Sequence, residues 1–208
     1  RLEAEMVRDQ ALAIAGLLSS KRYGPPVYPP QPAGLWQAAF NGQRNWETDM
    51  DEDRFRRGVY VFLRRTAPYP MLETFDATSR ERCTLRRVPT NTPLQAFVTL
   101  NDPAFHEAAQ GLARRVLRSP EVEDAARLAS AWRLATCREP EPEELETLHE
   151  LLVSERTRFA AAPDAAREYA APDDSVLGPA PEGLALDELA AWTALASVLL
   201  NLDEVLVR

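Results

Sequence analysis

The sequence has few of the residues that build disulfide frameworks, metal centres and lysine-rich nucleic-acid surfaces. Its 208 residues include two cysteines and two histidines, and only one of the 24 basic residues is a lysine. Zinc and iron–sulfur sites need clustered ligands at short spacing, whereas Cys83 and Cys137 are far apart in the sequence. No Cys-x-x-Cys-His stretch occurs, so covalent attachment of a c-type haem within this chain is excluded.

Familiar catalytic motifs are missing as well. No Gly-x-Ser-x-Gly elbow, phosphate loop or dinucleotide fingerprint occurs, and the eight glycines are scattered. His106 and His149 stand alone on different predicted helices, so ordinary helical positions are expected for both. No apolar run approaches the roughly 20 residues of a membrane-spanning helix. The chain opens on Arg1 without a signal-peptide core, and we expect it to be a piece of a longer protein.

Charge is unevenly distributed along the chain, whose net charge is −8. Residues 54–87 hold nine arginines and three acids, whereas residues 120–208 hold seven arginines and nineteen acids. This asymmetry favours an internal basic surface that faces the acidic C-terminal half, with an anionic partner as the alternative. Nucleic acid is not expected as that partner, because the isoelectric point is about 5.0 and no lysine joins the basic patch.

Hydrophobic periodicity and capping residues predict a mainly α fold: one irregular helical domain over 1–208, with a proline-rich wrapping segment and long loops. The clearest signals are the pairs Thr92-Pro93, Asp102-Pro103 and Ser119-Pro120, each of which combines a capping residue with a proline at the first helical position. The last apolar stretch predicts a central core helix. The predicted helices cover about 2–18, 53–65, two turns after Thr92, 103–117, 120–136, 142–159 and 187–202.

Five prolines between positions 25 and 32 disfavour a helix or a central strand there. Residues 21–53 are therefore predicted to wrap over the core, anchored by Tyr23, Tyr28, Leu35, Trp36, Phe40 and Trp46. These aromatic side chains could instead stack on sugar rings or on a partner peptide, but anchoring is the favoured interpretation. Residues 66–90 are predicted to be irregular, and residues 160–183 are predicted to be a mobile loop or insertion.

The candidate anion-binding or partner-binding residues lie in the middle third of the chain. Asp76 is in a loop between two arginine clusters and is expected to be held by them as a buried ion pair, with a ligand site as the alternative. Residues 83–95 place paired guanidinium groups before hydroxyl and amide groups at a helix start, which suits a phosphate, sulfate or sugar carboxylate, although the same groups could tie loops together. The candidate set is Arg56, Arg57, Arg64, Arg65, Asp76, Arg86, Arg87, Asn91 and Gln95. No catalytic and no metal-ligating residue is predicted.

Several blocks of sequence carry a family resemblance that extends over nearly the whole chain. They are Leu2-Glu3-Ala4-Glu5-x-x-Arg8-Asp9, Arg56-Arg57-Gly58-x-Tyr60-x-Phe62-x-x-Arg65-Thr66, Phe75-Asp76-Ala77, Cys83-x-x-Arg86-Arg87, Asn91-Thr92-Pro93-Leu94-Gln95-Ala96, Leu100-Asn101-Asp102-Pro103 and Leu199-Leu200-Asn201-Leu202-Asp203-Glu204. In these blocks the sequence resembles the planctomycete DUF1553 family, a family of unknown function.

The resemblance implies that the chain is the C-terminal part of a large exported protein with upstream cytochrome-c-like domains. It therefore implies an extracytoplasmic location and a haem c in the upstream domains, with no cofactor in this chain and no established activity. Cys137 stands where the family pattern usually has a small residue. This departure argues against a characteristic Cys83–Cys137 disulfide, although an oxidising compartment would permit one.

Three hypotheses on function follow from the sequence. The favoured one is a non-catalytic interaction module that docks on other domains of its parent chain, or on a partner protein, through the arginine-rich centre. The second is a binding or hydrolytic domain for an anionic polysaccharide that uses Arg86, Arg87, Asn91 and Gln95 with Asp76. The third is an accessory domain that shapes the docking site of a neighbouring haem domain.

Overall fold

The computed structural model describes residues 1–39, 42–172 and 175–207. Within these ranges the chain forms helices and two isolated β-bridges but no strand, which confirms the predicted mainly α class. The α-helices of the described residues are α1 (Ala4–Ala15), α2 (Leu35–Ala39), α3 (Pro70–Thr74), α4 (Pro93–Asn101), α5 (Pro103–Leu117), α6 (Asp124–Thr136), α7 (Pro142–Ala160), α8 (Pro163–Ala170), α9 (Leu186–Leu200) and α10 (Asp203–Leu206). Helix α3 falls within the segment 66–90 that was predicted to be irregular.

Helix α9 forms the centre of the core, as its apolar sequence predicts. Its side chains at Leu189, Trp192, Leu195 and Leu199 are buried, and the helix packs against α5, α7 and α8. The Trp192 indole donates to the Glu188 carboxylate at 2.8 Å, so the polar edge of this large ring is satisfied. Burying each such side chain stabilises the fold by about 1.5–3 kcal/mol.

Helix α1 packs against α5 and α3. The residues that precede α1 lie next to the last described residues of the chain. The backbone nitrogen of Leu2 donates to the carbonyl of Leu206 at 3.1 Å. The helix ends at Gly16, whose φ of +75° lies in the left-handed region that glycine adopts without a steric penalty. The helix predicted over residues 2–18 is thus confirmed, but it is shorter at both ends and covers Ala4–Ala15.

Two of the three cap-then-proline pairs begin a helix as predicted. Asp102 accepts from the backbone of Ala104 at 2.9 Å and caps α5, and the backbone nitrogen of Thr92 donates to the Gln95 side chain at 3.2 Å at the start of α4. The Ser119 prediction was wrong. The Ser119 hydroxyl donates backwards to a carbonyl at the end of α5, and α6 begins only at residue 124.

The helix predicted over residues 53–65 is wrong. This segment forms two single turns of 3-10 helix, Glu52–Phe55 and Gly58–Tyr60, and then becomes extended. The backbone of Val27 donates to the carbonyl of Tyr60 at 2.9 Å and accepts from the nitrogen of Phe62 at 2.9 Å. Hydrogen bonds to the proline-rich segment therefore replace those of a helix, in keeping with the strand-like composition of these residues.

The proline-rich segment does pack on the core, but only some of the predicted anchors hold it. The rings of Tyr28 and Trp46 meet edge to face with centroids 5.1 Å apart, and those of Trp36 and Trp46 lie 5.5 Å apart. Tyr23 is 82% exposed and Leu35 is 40% exposed, so neither is an anchor. Phe40 lies outside the described residues.

The loop predicted over residues 160–183 contains helix α8, which the sequence interpretation missed. Pro163 is in the first turn of α8. A backbone nitrogen at this position has no hydrogen-bond partner within the helix, so a proline there loses no hydrogen bond. Ala166 and Ala170, four residues apart, are buried, and α8 packs on α9. Small side chains rather than large apolar ones make this contact. Residues 173 and 174 lie outside the described part of the segment.

The central arginines were expected to face the acidic C-terminal half, but the ion pairs of the described residues do not join these two regions. Arg54 donates to Glu107 of α5 at 2.9 Å. The C-terminal half pairs its acids with its own arginines instead: Arg156 of α7 contacts Asp124 at 2.9 Å and Glu188 at 2.6 Å, joining α6, α7 and α9. Among the described residues, the basic region thus pairs with acids that precede residue 120, and the acidic region pairs within itself.

Candidate functional site

Arg56, a member of the candidate set, is a structural residue with no exposed surface. Its guanidinium donates to the carbonyl of Pro25 at 3.1 Å and to that of Tyr23, and it lies 4.0 Å from the centre of the Tyr60 ring. These contacts fasten the proline-rich segment to the chain that follows it. Arg56 is therefore not available to an external ligand.

Arg8 of α1, which is outside the candidate set, binds the backbone of Arg56. Its guanidinium is buried and donates to the carbonyls of Arg56 at 2.6 Å and Arg54 at 2.7 Å. Burial lowers the pKa of Arg8, and the nearby carboxyl groups of Glu107 and Asp102 oppose that effect. Helix α1 thus binds residues 54–56 through Arg8, and Arg56 in turn binds the proline-rich segment.

Gly58 allows this segment to approach α1 closely. A Cβ atom at position 58 would lie 3.0 Å from the Cα of Glu5, which is helix backbone and cannot move aside easily. The backbone nitrogen of Gly58 donates to the Asp9 carboxylate at 2.6 Å. A glycine is required here by the close contact between two backbones rather than by its φ angle.

Replacing Gly58 with alanine is expected to lower the free energy of unfolding by about 1–3 kcal/mol, because the added methyl group must push α1 away. Chemical denaturation followed by circular dichroism measures the change. The neighbouring Val59→Ala variant is the control, since Val59 is exposed and its loss should change stability by less than about 0.5 kcal/mol. Equal stability of Gly58→Ala and the unaltered chain would contradict the close-contact argument.

Asp76 was predicted to be held by arginines, but its partners are other residues. The residue has a positive φ of 63° and its carboxylate accepts from the backbone nitrogen of Thr90 at 2.7 Å and from the Thr90 hydroxyl at 2.9 Å. The Gln95 side chain donates to the same carboxylate at 3.5 Å and to the carbonyl of Thr74 at 2.9 Å. The buried ion-pair expectation was wrong because backbone and hydroxyl donors satisfy this carboxylate. Asp76 and Gln95 tie the irregular segment before α4 to α3.

Arg87 pairs with the start of α1. It binds the Glu5 carboxylate through two hydrogen bonds of 2.6 and 2.9 Å and reaches Glu3 at 3.4 Å. The Arg87 guanidinium lowers the pKa of the Glu5 carboxyl despite partial burial. A two-bond pair of this kind positions a loop well, so Arg87 belongs to the scaffold as well as to the surface.

The remaining candidates do not converge on one place. Arg86, Arg87 and Asp76 line an open cleft of about 510 Å³ next to the first residues of the chain. Arg64 lies 5.9 Å from the centre of the Trp36 ring, on a different cleft. Three further candidates are exposed: Arg57, Arg65 and Asn91. The nine residues thus divide among the buried Arg56, the contact of Gln95 with α3, two separate clefts and three exposed positions.

Helix α4 is amphipathic in the reverse sense, a feature that the sequence analysis missed. Its apolar side chains Leu94, Phe97 and Leu100 are 60%, 63% and 41% exposed, whereas its polar side chains Gln95 and Thr99 are each 1% exposed. Spacings of three residues place the three apolar side chains on one stripe, and the two polar residues lie on the opposite side of the helix. We call Leu94, Phe97 and Leu100 the α4 face.

Specific hydrogen bonds explain why polar residues point inward from α4. The Gln95 amide donates to α3, as described above, and the Thr99 hydroxyl bonds to the side chain of Asn201. Buried polar groups with such partners cost little, whereas unpaired ones cost about 1–3 kcal/mol. The orientation of α4 is therefore fixed by polar contacts, and its apolar face is left to the solvent.

The described residues show neither a metal centre nor a membrane span. Among them, no group of three or more His, Cys, Asp or Glu side chains could hold a metal ion. His106 packs edge to face on Tyr169 with ring centroids 4.6 Å apart, and burial lowers its pKa. No helix in the described ranges is both long enough and apolar enough to cross a bilayer.

Comparison with protein-family models assigns the chain to one family. A family model described as a protein of unknown function (DUF1553) matches residues 1–152. The chain belongs to the DUF1553 family. No curated protein and no solved structure matches it.

The match to the DUF1553 family covers the scaffold described above and ends within α7. It includes Arg8, Arg56, Gly58, Asp76 and the whole of α4. The core of this DUF1553 chain extends further, since α8 and α9 lie beyond the match and α9 packs against α5 and α7.

Proposed function

We propose that this DUF1553 domain is a non-catalytic docking module, and that the α4 face binds another domain of the same parent polypeptide. The observation that carries the proposal is the reversed amphipathicity of α4. Three large apolar side chains on one stripe of a short helix are costly to expose, because burying their remaining exposed surface would provide part of the roughly 1.5–3 kcal/mol that full burial of each such side chain gives. Contiguous apolar surface of this kind marks interaction sites on soluble domains.

Charge supports a particular chemistry for the partner surface. Residues 82–101 contain three arginines and no acid, although the chain as a whole is acidic. Arg82 and Arg86 are exposed, and Arg87 pairs with Glu5 on one side of the segment. A partner surface with apolar residues and an acidic rim would complement this segment.

The setting of the module follows from the family resemblance. In our proposal the partner is an upstream domain of an exported, extracytoplasmic polypeptide, and a cytochrome-c-like domain with haem c is the candidate that the resemblance implies. The non-catalytic role is supported by the scaffold functions of Arg56, Arg87, Asp76 and Gln95, which the sequence analysis had placed in a candidate site.

A titration tests the proposal. The upstream part of the parent polypeptide, produced separately, is added to this domain in a calorimeter, and Phe97→Asp is compared with the unaltered domain. We expect Phe97→Asp to weaken binding at least tenfold, about 1.4 kcal/mol, because a carboxylate would be buried in an apolar contact.

Val153→Asp is the matched control, since Val153 is also an exposed apolar residue of a helix, α7, outside the α4 face. It should leave the affinity unchanged. Absence of binding by the unaltered domain, or equal weakening by both variants, would contradict docking through the α4 face.

A second candidate function is the binding of an anionic polysaccharide in the cleft lined by Arg86 and Arg87. The observation in its favour is that the cleft is open and also includes Arg1, although Glu3 and Asp76 line it too. Sulfated and uronic glycans should then raise the melting temperature of the unaltered domain and have less effect on Arg86→Ala. No shift with millimolar glycan would exclude this function.

A further inference from the structure

A second cleft, remote in sequence from the α4 face, is lined by aromatic residues of the proline-rich segment. It has a volume of about 640 Å³, which is within the range of small-molecule sites. Three aromatic side chains line it: Tyr28, Trp36 and Phe62. The rings of Tyr28 and Phe62 are stacked with centroids 5.1 Å apart and an angle of 25° between their planes.

These rings are held in place by a network of hydrogen bonds and ring contacts. The Trp46 indole donates to the carbonyl of Pro29 at 2.8 Å, and its ring contacts those of Tyr28 and Trp36. The backbone of Tyr28 donates to the Asp49 carboxylate at 2.6 Å. A ligand would thus meet rings that are already ordered, which reduces the entropy lost on binding.

The polar residues of the cleft determine which class of ligand fits. Its lining includes two guanidinium groups and two carboxylates, together with an amide and a hydroxyl: Arg44, Arg64, Glu47, Asp49, Asn45 and Thr48. The opposite charges balance, so a phosphate or sulfate gains attraction from the arginines but repulsion from the acids. An apolar peptide would have to cover these charges without pairing them.

We propose that this cleft, lined by Tyr28, Trp36 and Phe62 with Glu47, Asn45 and Arg44 among its polar residues, binds an uncharged saccharide. A sugar hydroxyl both donates and accepts hydrogen bonds, and it can therefore use carboxylate acceptors and guanidinium or amide donors together. The C–H faces of a sugar ring pack against aromatic rings, whose faces carry the negative part of the ring quadrupole. The site is independent of the α4 face.

The test uses neutral tetrasaccharides with gluco, manno, xylo and galacto backbones, titrated against the domain by ligand-observed NMR and calorimetry. We expect saturable binding of at least one of them. The double variant Asn45→Ala, Glu47→Ala should weaken it at least tenfold. Both residues are exposed, and the unfolding transition of the double variant checks that the fold is retained.

Arg86→Ala serves as the control, because Arg86 lines the other cleft, and it should bind the saccharide with unchanged affinity. No binding of any tetrasaccharide at millimolar concentration would overturn the proposal. Equal binding by the folded double variant would overturn it too, as would binding confined to sulfated or uronic glycans and lost in Arg86→Ala. Because these measurements need no partner domain, their failure leaves the docking function standing.

Discussion

Replacing Arg8 with methionine is expected to lower the free energy of unfolding by about 2–6 kcal/mol, because two carbonyl groups would each lose a donor at a cost of about 1–3 kcal/mol. The Arg8 guanidinium supplies donors to the carbonyls of Arg54 and Arg56 in the interior. Methionine fills a similar volume but leaves both carbonyls without these donors, and it removes a cation that lies near the buried Asp102 carboxyl. Chemical denaturation at neutral pH measures the loss.

Two further variants separate the causes of this effect. Arg8→Lys retains the charge, but an ammonium group cannot reproduce the planar fork that spans two carbonyls, so most of the loss should persist. Arg57→Met removes a neighbouring exposed arginine and should change stability by less than about 0.5 kcal/mol. A loss below about 1 kcal/mol for Arg8→Met would show that Arg8 does not hold the segment in place.

The second large effect is a pH-dependent one at Asp102. Burial raises the pKa of this carboxyl from 3.8 to about 6, with the Ala104 backbone donor and Arg8 opposing the rise and Glu107 adding to it. The folded state therefore keeps this proton to a higher pH than the unfolded state. The stabilising contribution of the protonated group is complete below about pH 4 and is lost as the pH rises to about 6.

Asp102→Asn should remove this pH dependence while retaining an acceptor for the α5 cap. The free energy of unfolding of the variant, relative to that of the unaltered domain, should rise by on the order of 3 kcal/mol between pH 3.5 and 7. Asp51→Asn is the matched control, because Asp51 accepts a similar cap bond from Asp53 at 3.0 Å on the exposed surface. A difference that stays constant across this range in Asp102→Asn, or that is the same in both variants, would contradict the account.

Local sequence signals predicted the parts of the fold that depend on neighbouring residues. The Asp102-Pro103 pair begins α5 where predicted, and the apolar run around Trp192 forms the core helix α9. The failures involve contacts between distant residues. Val59 to Leu63 was expected to be helical, but its backbone pairs with Val27, more than thirty residues earlier.

The candidate site shows the same division. Members of the candidate set, such as Arg56 and Asp76, bind backbone and hydroxyl groups of the protein itself. The contacts of Arg8 reach 46 and 48 residues along the chain, and no local pattern indicates them. The reversal of α4 did leave a signal, since Gln95 and Thr99 are four residues apart on the side opposite Phe97. A helix pattern alone does not state which side faces the core.

The most direct test of docking uses a single thiol on the α4 face. Phe97→Cys is introduced with both exposed native cysteines, Cys83 and Cys137, replaced by serine, and its rate of reaction with a maleimide is measured in the isolated domain and in the complete parent polypeptide. We expect rapid labelling of the isolated domain and strong protection in the parent, while a Val153→Cys control reacts equally in both. Equal labelling of residue 97 in both proteins would show that no other domain covers the α4 face.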